Sequence, residues 1–379
     1  MKLLLDCSLL SIGGGIQVGL SIIENVANDP DFETVIVCSP QINAQLSDAT
    51  RNKLYACHVV PNLPFYKKSK QGKYLSKLER KYRPDQVFVV FGPSYWRPKV
   101  NNLQGFALGK MLYPEVRKHY PSKVQRFKEE VFDLIKQKLF FRNVGNFVVE
   151  TEVVKSRLVK NLGIDSDKIF VISNSYSPAF EQRLLERQSQ VQPSDDKIVV
   201  FIPSSFYHHK NLLILPQALK ELKSLSDRKI FFKFTIPEES NGWKLLKKSA
   251  QNLGVSEYFF TVGHVANNVI CDEYLSSQIV LCPSLVESST AVFPESFIAK
   301  RPLIVSDRDF SRDLCDDGAI YFDPLNPIDI AQKINLVLED SSLYKLLVNN
   351  ASEVLKKNYL TPDEKWNAQK ALLMKLSHK

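Results

Sequence analysis

The sequence predicts an α/β protein of two doubly wound, Rossmann-like domains, each a parallel sheet covered by helices on both faces, facing each other across a cleft. Its 379 residues exceed one ordinary domain. Short β-branched or aromatic runs alternate with helix-period segments along the whole chain. Those runs are too apolar to have a wet face, as expected of parallel strands buried between helices.

In the first half, strands are expected at residues 2–7, 34–38, 54–60, 86–91, 146–150 and 168–172. GGGIQVGL, from Gly13 to Leu20, follows the first of them and opens an amphipathic helix. The chain has only 14 glycines, so three in a row ask for a sharp turn or for close approach of the backbone to something else. Strand, glycine loop and helix start also offer free N–H groups to an anion. The spacing fits neither the dinucleotide fingerprint nor the P-loop, and a plain turn explains the stretch equally well.

The first half also holds the positive charge. The whole chain carries +9, while residues 51–142 contain 21 Lys/Arg against 6 Asp/Glu. Within them, residues 64–83 (PFYKKSKQGKYLSKLERKYR) mix aromatics with eight basic residues and one acid. Residues 123–143 space Val124, Phe127, Val131, Leu134 and Lys138/Leu139 by three or four, as an amphipathic helix would. Two readings stand: solvated helical faces, or a surface for an anionic membrane or acidic substrate. No recognised motif calls for nucleic acid.

Residues 177–196 are polar and free of strand patterns, the expected linker between a first domain at 1–176 and a second at 197–361. In the second half, strands are expected at 197–203, 229–236, 258–262, 278–283, 302–306 and 319–322, with helices at 211–225, 243–252, 328–339 and 342–356. An apolar fraction of 44 % supports real cores, and no apolar run approaches the ~20 residues of a membrane helix. Asp6 interrupts the short apolar start, so a signal peptide is not expected and the cytosol is. Cys7, Cys38, Cys57, Cys271, Cys282 and Cys315 show no metal or redox spacing and read as small core residues.

Ligands of doubly wound sheets bind at the carboxyl ends of the strands, so residues that follow strands are the informative ones. Lys210 stands where a helix should begin, a cation opposing the helix dipole. It either points into water or meets an anion. His208 and His209 beside it lack a third ligand and read as loop groups, with no metal expected. Further on, Glu287 and Glu295 are separated by seven residues, the second in the first turn of a helix that Pro294 would open. Glu295 could simply cap that helix, or the two acids could accept bonds from a sugar's vicinal hydroxyls. Between them, the amides and hydroxyls of Ser288, Ser289 and Thr290 could hold phosphate oxygens. Two acids and such a loop suit a nucleotide sugar.

The order of these pieces resembles the family-4 retaining glycosyltransferases of the GT-B fold. The resemblance runs along most of the chain: GGGIQ; VVETEVVKSRLVKNLGIDSDKIFVISNSYSP; HKN; Glu287-x7-Glu295 followed by RPLIVSD; and GAIYFDPLNPIDIAQKI. It implies a UDP- or GDP-linked sugar donor, no cofactor or metal, and a glycan or lipid-linked acceptor in surface polysaccharide assembly at the inner face of the membrane. The first domain would bind the acceptor, with a C-terminal helix at about 362–379 packed back on it, and the second the donor. Glu295 would bind the donor ribose, Glu287 would lie by the donor sugar, and Lys210 would neutralise the leaving diphosphate. Gly14 and Gly15 would keep the backbone close to the donor phosphates, with Gly13 and Gln17 on the acceptor side. Two departures stand out: Ser205 occupies the position where the family often has an arginine, and Ser288-Ser289-Thr290 replaces its Gly-Phe-Gly. They leave room for a rival, a non-catalytic binding protein of the same fold at the membrane surface.

Overall fold

The computed structural model describes all residues except 12, 62, 65, 66, 120, 121, 192, 194–196, 378 and 379, and leaves out the side chain of Gln125. Parts of the basic stretch 64–83, the linker 177–196 and the terminal helix 362–379 therefore lie outside the described residues. The chain divides into two units, the first made of residues 1–112, 118–172 and 363–379, the second of 113–117 and 173–362.

The first unit is built on β1 (Lys2–Cys7), β2 (Glu33–Cys38), β3 (Ala56–Val59), β4 (Gln86–Val89), β5 (Asn102–Gly105), β6 (Asn146–Val149) and β7 (Ile169–Val171). They pair in the order β3-β2-β1-β4-β5-β6-β7, every pair parallel. Leu3, Leu4 and Leu5 are all fully buried, which is why the β1 run has no polar alternation. β5 was not expected, because NLQG reads as polar. Its side chains are buried and satisfied: Asn102 Oδ1 accepts from Gly145 N (2.9 Å) and Gln104 Nε2 donates to Asn143 O (3.1 Å).

Helices Gly14–Asn28, Lys68–Tyr82, Lys123–Asn143 and Glu152–Leu162 join the strands. Parallel crossovers are right-handed, so helices on connections running from β3 toward β7 lie on one face and those running from β1 toward β3 on the other. Lys68–Tyr82 and Lys123–Asn143 thus share a face. Helix Pro362–Ser377 belongs to this unit from residue 363: Lys370 pairs with Asp29 (2.8 Å) and Asp31 (2.6 Å), and Trp366 packs on Phe32. Of the six cysteines, Cys57 departs from the core reading. It is half-buried, and a hydrogen bond with Cys38, aided by Arg51 Nη1 at 3.6 Å, pulls its thiol down to about 7.

The second unit repeats the plan with β8 (Ile198–Ile202), β9 (Ile230–Phe234), β10 (Phe259–Thr261), β11 (Ile279–Cys282), β12 (Leu303–Ser306) and β13 (Ala319–Phe322), ordered β10-β9-β8-β11-β12-β13 and parallel throughout. Phe232, Phe234, Leu281 and Ile304 lie in its core, with Leu219 and Leu222 of helix Leu215–Leu225 packed among them.

Residues 177–187 are not a linker. Ser177 caps and Pro178 opens a helix, Pro178–Arg187, that buries Phe180 and Leu184 within the second unit. The helix expected at 211–225 starts at Leu215, after the 3-10 turns His208–Lys210 and Leu212–Ile214. Helix Val292–Ile298 begins two residues before Pro294, which therefore does not open it.

Candidate functional site

In the second sheet the strand order reverses between β8 and β11, the place where an open α/β sheet leaves a crevice outside its strand ends. The chain leaving β8 reaches the turn His208–Lys210, and the chain leaving β11 reaches Glu287. There Lys210 Nζ meets Glu287 Oε1 at 2.5 Å, the side chains only 18 % and 8 % exposed. Leu285 N donates to His209 O (2.7 Å), stitching the two loops together. Asn211, in the left-handed region at φ 57°, donates through Nδ2 to Pro324 O (2.6 Å) and fixes the turn from behind.

Lys210 is therefore not a solvent lysine, and no α-helix dipole opposes it. Burial works against its charge, but the facing Glu287 carboxylate outweighs burial and holds the ammonium's pKa above its ordinary value. The anion that Lys210's position asks for is present in the protein itself.

Glu295 lies 7 % exposed in helix Val292–Ile298 and accepts a hydrogen bond from Tyr274 Oη (2.8 Å). Phe180 and Phe201 pack edge-on against the Tyr274 ring, so the carboxyl's partner belongs to an apolar wall. Burial pushes the Glu295 carboxyl up to about 7, against the Tyr274 bond that lowers it. Glu295 does stand in the first turn of its helix, where a carboxylate suits the dipole, but the partner its carboxyl takes is Tyr274.

Between the acids, Ser288 is half-buried, Ser289 Oγ accepts from Asn174 Nδ2 (2.9 Å), and Thr290 Oγ1 accepts from Val292 N (3.3 Å). Ser205 is exposed and brings no charge to the site. Sequence reasoning missed Tyr274, Asn174 and Asn211, whose partners lie far along the chain and leave no local signal. It also missed an open pocket of about 510 Å³ lined by Asp307, Arg308, Arg312, Tyr321, Asp323 and Lys333 among others, next to Pro324.

In the first unit, Gly13 holds φ 64° and caps helix Gly14–Asn28, so the turn alone accounts for it. Gly14 differs in having no positive φ, and a Cβ built there, as at Gly13, would meet nothing within 4 Å. A Cβ at Gly15 would make only ordinary contact with Leu10 at 3.5 Å. No neighbour requires glycine at residue 14. Gln17, in the same helix, donates to Gln45 Oε1 (3.3 Å). Among the described residues, no helix is long and apolar enough to cross a membrane.

Residues 182–354 match the family described as glycosyl transferases group 1. That match lies within the second unit. An uncharacterized glycosyltransferase of Methanocaldococcus jannaschii is 23% identical over 221 residues, 56% of this chain and 55% of that protein. The chain thus spans about half the length of the curated relative it matches. Solved structures match over nearly the whole chain. Sucrose-phosphate synthase from Thermosynechococcus elongatus gives a TM-score of 0.74 at 14% identity, covering 99% of both chains. Anabaena HepE in complex with UDP and glucose gives 0.71 at 15%, covering 99% of this chain and 100% of that one. A glycosyltransferase from Rickettsia africae gives 0.69 at 16%, covering 99% and 98%. At such identities the likeness is one of fold, and the fold is GT-B.

Proposed function

We propose that the protein is a glycosyltransferase that moves a sugar from a nucleotide donor, UDP- or GDP-linked, to a glycan or lipid-linked acceptor, with retained anomeric configuration, in surface polysaccharide assembly. The observation that carries this is the Lys210–Glu287 pair at the reversal point of the second sheet, with the buried Glu295 on the helix that follows. As the bond between the sugar's anomeric carbon and the diphosphate oxygen breaks, negative charge grows on that oxygen. Lys210 is held beside that position by Glu287 before any ligand arrives, and a preorganised cation in a half-dry site stabilises the departing charge. Glu287 turns from Lys210 to the donor sugar's hydroxyls, and Glu295 accepts the ribose hydroxyls. Ser288, Ser289 and Thr290 supply amides and hydroxyls to the phosphates, so the reaction proceeds in a chelator. HepE's complex with UDP-glucose supports the donor class by analogy of fold.

The first unit takes the acceptor side. The open space over Gly14 supports a close ligand approach there, with Gly15 next to it and Gly13 and Gln17 along the acceptor's path. The enzyme works in the cytoplasm at the inner face of the membrane, its basic region toward anionic lipid that carries the acceptor. Of the lysines in that region, Lys68 does not reach outward: it is buried and donates to Gln71 Oε1 (3.2 Å).

The rival, a non-catalytic binding protein of the same fold, rests on the uncharged Ser205. Thermal-shift screening against nucleotide sugars, followed by turnover assay of the stabilising donor in the presence of a chelator, separates the two. Release of nucleoside diphosphate that depends on acceptor supports the enzyme, and binding without release supports the rival. No stabilisation by any UDP- or GDP-linked compound overturns both.

A further inference from the structure

Helix Lys123–Asn143 carries an apolar seam that the first unit's core leaves uncovered. Val124, Phe127, Val131, Leu134 and Phe141 fall at alternating steps of three and four residues, with Lys138 filling the one polar place in the register. They are between 39% and 67% exposed. The helix is held instead by another side: Phe140 is buried against Phe106 and Phe147, and Asn143 Nδ2 donates to Ser94 O (2.8 Å). The seam is thus not a core face out of place.

Charge surrounds the seam asymmetrically. At 3.6 residues per turn, Lys123, Lys128, Lys138 and Arg142 fall within or beside it, against a single exposed acid, Glu130, at its edge. Two of the helix's acids are turned to other partners, Glu129 to Lys110 and Asp133 to Lys136, each at 3.6 Å. The neighbouring helix Lys68–Tyr82, on the same face of the sheet, exposes Lys70, Lys73, Lys77, Arg80 and Lys81 with Tyr74. Its one acid, Glu79, is buried and accepts from Lys99 N (2.6 Å) and Val100 N (3.2 Å). The loop holding Ser94 and Lys99 therefore touches both helices, which form one region of the first unit.

We propose that this seam is the segment that enters an anionic lipid surface. Its apolar side chains sit at the boundary of headgroups and acyl chains, while the flanking cations and those of helix Lys68–Tyr82 meet lipid phosphates. A second copy of the chain fits worse, because it would bring two strongly basic surfaces together. The proposal deepens the membrane placement given above by naming the element that inserts, and it is independent of the donor site.

The test is co-sedimentation of the full chain with vesicles of phosphatidylglycerol and phosphatidylcholine, against vesicles of phosphatidylcholine alone. Wild type binds the anionic vesicles at low salt. Phe127→Ser with Leu134→Ser, both exposed positions, keeps the wild-type melting temperature and loses at least about tenfold in partition. In a separate Phe127→Trp variant, emission shifts to the blue only with anionic vesicles. Equal binding by wild type and the double serine variant overturns the proposal. So does a wild-type dimer that the serine variant dissolves without any vesicle binding. Nucleotide thermal shifts on the same variants read the donor site separately, so failure of either reading is visible on its own.

Discussion

A carboxyl buried beside a tyrosine hydroxyl is costly to ionise, and Glu295 is kept in that state. Its pKa is about 7 in the folded protein and near 4.5 in the unfolded chain. The native state therefore binds more protons between those values, and stability falls as pH rises from about 4.5 to about 7, then levels off. By that shift, the ionised side chain lowers stability above pH 7 by roughly 3 kcal/mol. Glu295→Gln keeps an acceptor for Tyr274 and removes the cost. Denaturant midpoints should show the variant more stable than wild type at about pH 8 and equal to it near pH 4, while nucleotide affinity falls. Equal midpoints at both pH values would mean that Glu295 is not held protonated. Lys210 gives a sharper separation of structure from chemistry. Lys210→Ala leaves Glu287 unpaired at 8 % exposure, a loss of about 1–3 kcal/mol, and should lower turnover by about 10²–10³. Adding Glu287→Ala removes the stranded carboxylate, so stability recovers and turnover does not. Recovery of both in the double variant would make the pair purely structural.

At the scale of elements, the sequence was readable where burial is apolar and silent where burial is polar. β1, β2, β8 and β11 announce themselves as runs dominated by apolar residues, and structure and sequence agree on them within a residue or two. β5 does not, since Asn102 and Gln104 enter the sheet only because loop groups near residues 94 and 143–145 satisfy them. Helix Pro178–Arg187 did have a local signal, the Ser-Pro start, but its polar composition resembled a linker more strongly. The strand makes a prediction. Gln104 is fully buried, with Oε1 accepting from Ser94 N (3.2 Å) and Nε2 donating to Asn143 O (3.1 Å). Gln104→Leu strands both backbone groups, at about 1–3 kcal/mol each before any apolar gain. The denaturant midpoint should drop accordingly. An unchanged midpoint would mean that the β5 polar network is tolerated rather than needed.

For the molecule as a whole, alternation of strand and helix foretold two parallel sheets, and the sheets share one order from their outer strand through the reversal point. The same reversal explains why the residues after β8 and β11 were legible as a candidate site while their supports were not: strand ends are local in sequence, whereas Tyr274 reaches Glu295 and Asn174 reaches Ser289 across long stretches of chain. The family match at residues 182–354 also lies in the second unit. If that unit holds the donor, a nucleotide should stabilise it selectively. At about 100 times its Kd, a ligand bound only by the folded unit adds about 2.7 kcal/mol, which slows by about a hundredfold those amides that exchange only through full opening of that unit. Hydrogen exchange of the full chain with and without the stabilising nucleoside diphosphate should therefore show strong protection along β8 and β11, with the loops at 203–211 and 283–291 protected by direct contact. Strand amides of β1, β2 and β4 should slow far less, since their opening need not involve the second core. Protection concentrated on the first sheet instead would reverse the assignment of donor and acceptor sides, and with it the role given to Lys210.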